Sequence, residues 1–146
     1  KDSGPTGRTG NMFQLIVAVI SIALVAALAI ASIFYGGDAF TKSSERANVT
    51  ALINQAQQIA GANALYKTDT GNDAPNVATL ATETNGIQYL AQVPNGSKIT
   101  TGDWAFDGDD IVIAFADANA CDGDIGTYIA AEGAGECDTG YFRFAR

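Results

Sequence analysis

No histidine occurs among the 146 residues. A Ser-His-Asp or Cys-His couple, a His-ligated zinc and an imidazole proton shuttle are therefore all excluded. Cysteine is nearly as scarce. Two residues allow one disulfide, but neither a four-thiolate zinc site nor an ordinary four-thiolate iron-sulfur cluster. Basic residues are few as well: eight Lys+Arg stand against sixteen Asp+Glu, a formal charge of -8 and a pI near 4.2. That is the wrong sign for a phosphate backbone, so the body of the chain is not expected to bind nucleic acid. A chain of 15.1 kDa has room for one compact domain, or for one small domain and an appendage, but hardly for two independent cores.

What is abundant is apolar surface, unevenly placed. Met12 to Tyr35 reads MFQLIVAVISIALVAALAIASIFY, with no charge and only Gln14, Ser21 and Ser32 as clearly polar side chains. As a helix this stretch is about 36 Å long, enough to cross a hydrocarbon core of about 30 Å. A cleaved export signal is the first alternative, but its apolar core runs only about 7 to 15 residues. The segment therefore reads as a retained anchor. Lys1 and Arg8 on one side and Lys42 and Arg46 on the other leave its orientation nearly undecided by charge. A disulfide in the C-terminal part requires an oxidising compartment, which places the N-terminus inside and the body outside.

Three regions follow: an extension over residues 1-11, which Gly and Pro predict to be non-helical, an apolar helix over 12-37, and a folded body over 38-146. Beyond Gly36-Gly37, a candidate hinge, the pattern turns amphipathic. Val49, Leu52, Ile53, Ala56, Ile59 and Ala60 recur at helical spacing and ask for a partner sheet. No proline lies between Tyr35 and Lys67, so one helix of about 50 residues is expected. TDTGNDAPN, Thr68 to Asn76, ends it. Asn76 or Thr79 is a candidate cap for a short helix through Thr84. Then the period changes. Lys98 to Thr101, Trp104 to Phe106, Ile111 to Phe115, Thr127 to Ala130 and Tyr141 to Phe144 read as short strands, with a hairpin at Asp107-Gly108-Asp109-Asp110. The expected class is α+β, a long N-terminal helix on an antiparallel sheet of about four strands.

This order of parts resembles the type IV pilin family, and in several features its type IVb branch, across nearly the whole chain. The resemblance rests on the apolar half-helix Met12 to Tyr35, the packing half from about Asp38 to Lys67, and Cys121 and Cys137 bracketing a loop near the end, where pilins carry a disulfide region. It implies a subunit held in the bacterial inner membrane and passed by a pilus assembly machinery into an extracellular filament of identical copies. The apolar helices would form the filament's core: Phe13, Gln14, Leu15, Ile16, Val19, Ile20, Leu24, Ala27, Leu28, Ile33 and Phe34. Family members are cut after a glycine and usually carry a glutamate fifth in the mature chain. Cleavage after Gly10 puts Leu15 fifth here, and the nearest polar group is Gln14, which hydrogen-bonds but cannot neutralise an ammonium.

Cys121 and Cys137 admit three readings, free thiols, a redox couple or a structural bridge; a small domain outside the cytoplasm favours the bridge. Asp107, Asp109 and Asp110, or Asp122 and Asp124, are oxygen-only clusters that suit calcium, yet neither matches an EF-hand loop. Turn formers on a solvated face are the plainer reading. No nucleophile, base or phosphate loop accompanies them, so neither a catalytic role nor a cofactor is expected.

Overall fold

In the computed structural model, which describes residues 8-146, these residues divide into two compact units, one through Thr41 and one over Lys42–Arg146. Helix α1 spans Arg8–Thr70 and runs without a break in its hydrogen-bonded ladder through Gly36 and Gly37. The expectation of a non-helical extension over 1-11 is corrected at its end, since residues 8-11 are helical; residues 1-7 lie outside the described part. Only Gly10 resists the helix in that stretch, by about 1 kcal/mol, and extending an existing helix needs no new nucleus.

In the second unit α1 buries one stripe. Val49, Leu52, Ile53, Ala56, Ile59 and Ala62 are all buried, while Asn54, Gln57, Gln58 and Gly61 face out. The helix stops at Gly71, whose positive φ of 79° lets its amide donate back to the Lys67 carbonyl at 2.8 Å. Helix α2, Val77–Ala81, is capped by Asn76, whose side-chain oxygen accepts from the Thr79 amide, and it ends at Ala81, three residues before the expected limit, with Thr82 as its C-cap.

The sheet has four antiparallel strands in the order β1-β2-β4-β3: β1 Thr100–Asp107, β2 Asp110–Phe115, β3 Glu136–Asp138 and β4 Tyr141–Ala145. Two runs read as separate strands, around Thr101 and Trp104, are one strand β1 interrupted by a register shift between Thr101 and Ala105. Phe106 lies opposite Ile111, Ile111 opposite Phe144 and Ile113 opposite Phe142, so these side chains share one face. That face joins the buried α1 stripe in a single core, where Trp104 meets Phe142 edge to face at 6.1 Å.

Thr127 to Ala130 is not a strand. It lies in helix α3, Asp124–Glu132, between Gly123 and the left-handed Gly133. Thr127, Tyr128 and Ile129 favour strands locally, but Ile125 and Ile129 stand one turn apart and both reach the core while Thr127 between them is exposed, whereas in a strand all three would share a face. Gly126 permits the close turn beneath: a Cβ there would overlap the Cys121 carbonyl. Cys121 and Cys137 form a disulfide, Cα atoms 5.4 Å apart, that ties the approach to α3 to strand β3.

Candidate self-association surface

Every residue proposed for the apolar core lies on the first unit's helix and is exposed: Phe13, Gln14, Leu15, Ile16, Val19, Ile20, Leu24, Ala27, Leu28, Ile33 and Phe34. Phe13 keeps 70% of its surface and Phe34 75%, and together with the apolar residues between them they form a contiguous exposed patch of the kind that marks an interaction surface. The helix is long and apolar enough to cross a membrane, and none of its most apolar 18-residue window is buried by the chain itself. The polar atoms inside it are mostly retired. Ser21 donates to the Val17 carbonyl at 2.8 Å and Ser32 to the Leu28 carbonyl at 2.9 Å, so neither hydroxyl needs water. Chemically the surface does one thing well, which is to associate with other apolar matter.

Gly36 and Gly37 are placed inside the helix rather than at a break, and a Cβ at either would meet nothing within 4 Å. Phe40, 81% exposed, extends the apolar surface past them.

Three acidic residues of the second unit converge on one arginine, a meeting that sequence spacing gave no hint of. Arg143 on β4 reaches Asp107 at 2.9 Å, Asp110 at 3.4 Å and Asp138 at 3.7 Å. Its bond to Asp107 and the surrounding carboxylates hold the guanidinium protonated beyond its ordinary range. Arg146 donates to the Gly108 carbonyl at 2.7 Å and lies over the Phe106 ring at 4.6 Å. The candidate calcium ligands Asp107 and Asp110 are thus turned toward a cation of the chain itself, while Asp109, Asp122 and Asp124 are split between a hairpin and the α3 region. Among the described residues no three acidic or cysteine side chains converge as a metal site would require.

A cavity of about 450 Å³ beside β4 is lined by Asp110, Glu136, Arg143 and Phe144 together with the Gly133-Ala134-Gly135 backbone. Two of its charged groups, Asp110 and Arg143, belong to the Arg143 network. The remaining cohesion is structural. Gln55 donates to the Gly96 carbonyl at 2.9 Å and accepts from the Trp104 indole at 3.2 Å, which fixes the loop before β1 against α1. Arg46 lies over the Tyr128 ring at 5.2 Å, joining α1 to α3. The chain matches no protein-family profile, no curated protein and no solved structure.

Proposed function

We propose that this chain is a pilin-like structural subunit. It waits in the inner membrane with its body outside, and an assembly machinery moves it into an extracellular filament used for adhesion, motility or surface attachment. The observation that supports this most directly is the charge-free stretch Met12 to Tyr35, exposed along its length and joined to a disulfide-stapled α+β body. Lipid satisfies such a surface before assembly, and identical neighbours satisfy it afterward. Contacts of the head-to-tail kind do not close on themselves and so generate an open helical polymer. Ala18, Ala23, Ala26, Ala27, Ala29 and Ala31 let helix backbones approach closely, as small residues do between membrane helices. The acidic body then forms the outer surface.

Electron microscopy of purified native material tests the reading, with filaments as the expected result. Ala27→Lys is expected to abolish them, because a lysine buried among apolar helices has no partner. Filaments of ordinary yield from that variant, or single copies spanning a bilayer with no polymer in any fraction, would overturn the proposal. The latter result would instead favour a membrane-anchored binding domain.

A further inference from the structure

Two Asn-Gly pairs lie in the body, Asn85-Gly86 and Asn95-Gly96, both with an exposed asparagine. The fold holds them differently. Asn85, at φ 55°, and Gly86, at φ 82°, fill a two-residue turn that Thr84 and Ile87 close from both sides. The backbone amide of each closing residue donates to the other's carbonyl, at 2.9 and 3.0 Å. Around the second pair the hydrogen bonds begin only past the asparagine. The Gly96 carbonyl accepts from Gln55 at 2.9 Å, and the Ser97 amide donates to the Thr100 hydroxyl at 2.8 Å. Gln92 through Asn95, and the Gly96 N–H, have no hydrogen-bond partner among the described residues. A Cβ at Gly96 would overlap the Thr100 hydroxyl, so the close approach there keeps a glycine after Asn95.

We infer that Asn95 is a self-modifying site, where the body turns an amide into an acid without an enzyme. The Gly96 nitrogen, having given its proton to solvent, attacks the Asn95 Cγ. A bond from that nitrogen to Cγ forms, the Cγ–Nδ2 bond breaks, and the leaving nitrogen takes a proton from water and departs as ammonia. Water then opens the five-membered imide at either carbonyl. One opening gives aspartate; the other gives isoaspartate, with the main chain rerouted through Cγ. Nothing is oxidised or reduced, and water is the only co-reactant. Attack within one residue pair is fast once nitrogen and Cγ meet, and a segment free of hydrogen bonds turns easily enough to bring them together. At Asn85 the same rotation must break the two bonds between Thr84 and Ile87. The product adds a negative charge to a chain already at -8. Isoaspartate also lengthens the main chain by one carbon directly before the carbonyl that Gln55 holds. Since Gln55 accepts from the Trp104 indole as well, the change loosens the loop before β1 from α1. None of this depends on whether the chain polymerises.

The test keeps the full chain folded in detergent micelles at mildly alkaline pH and follows both sites by peptide mass spectrometry and an isoaspartate assay. Position 95 is expected to become acidic about tenfold faster than position 85, the factor that two turn hydrogen bonds impose. In denaturant, with the turn at Asn85 gone, the two rates should become alike. Asn95→Gln is expected to remove the early acidic species on isoelectric focusing, because its imide would need a six-membered ring. An amide at 95 that lasts as long as the one at 85 in the folded chain would overturn the inference. So would a tenfold gap that persists in denaturant, since the fold would then not be its source.

Discussion

Asn63 is the only polar side chain among the described residues that is fully buried, at 3% exposure. Its amide nitrogen donates to Asp73 at 2.9 Å, and its oxygen accepts from the Ala74 amide at 2.9 Å. It thus clips the loop that leaves α1 back onto the helix. Asn63→Ala strands a buried backbone N–H, which costs about 1 to 3 kcal/mol. Thermal unfolding should show that loss, while Asn54→Ala on the exposed side of the helix should stay within about 0.5 kcal/mol. Equal effects would mean the clip contributes nothing. Asp73 carries the pH dependence of the same corner. Hydrogen bonds from Lys67 at 3.0 Å and from Asn63 hold its carboxyl below the ordinary value of 3.8. A carboxyl with a depressed folded-state value adds stability that is present above the ordinary value and disappears as pH falls through the folded one. Denaturant melts should therefore show the gap between the unaltered chain and Asp73→Asn narrowing as pH is lowered below about 4. A gap independent of pH between 7 and 2 would refute the assignment.

The second unit's smallest element depends on a covalent neighbour. Strand β3 has three residues and pairs with β4 through Glu136, Cys137 and Asp138, and the disulfide fastens it covalently to the α3 approach. With a sequence separation of 16, the bridge is expected to stabilise by about 3 kcal/mol in the chain-entropy account. Native protein should show no alkylatable thiols, and reduction should lower the melting temperature. Hydrogen exchange should quicken first at β3 and α3, ahead of β2 and α1. Uniform acceleration across the sheet would contradict this order. The same pair of elements marks where the amino-acid sequence was hardest to read. The α1 stripe, the Asn76 cap, the hairpin tip and the class itself follow from local period and turn chemistry, and the structure carries all of them. Helix α3 does not, because Thr127, Tyr128 and Ile129 favour a strand until the flanking glycines and the core side of Ile125 are known. Strand β3 has no apolar alternation and exists through its pairing with β4. The apolar run was legible because lack of charge over 24 positions is a matter of composition. The Arg143 network was not, since Asp107 and Asp138 reach that guanidinium from separate strands.

Charge is divided as sharply as hydrophobicity. Through Thr41 the basic residues Lys1 and Arg8 balance Asp2 and Asp38, so the formal charge of -8 belongs wholly to the body. In the polymer proposed above, cored by the neutral helix, every copy would present that charge outward, and copies would repel one another across the surface. Two forces then oppose each other with different responses to salt. Repulsion between exposed charges is screened over about 10 Å at 0.1 M and about 3 Å at 1 M ionic strength. Apolar association is not weakened by that screening, and sulfate and similar salts strengthen it. Filaments should therefore survive 1 M sodium chloride, remain dispersed at low salt and pH 7, and gather into bundles as salt rises or as pH approaches the pI of 4.2. A detergent that solvates the helix should separate the copies where salt does not. Light scattering and electron microscopy across a salt series, with and without detergent, distinguish the two forces. Dissolution of filaments in 1 M salt with resistance to detergent would mean that ionic contacts between bodies, and not the stretch from Met12 to Tyr35, hold the polymer together.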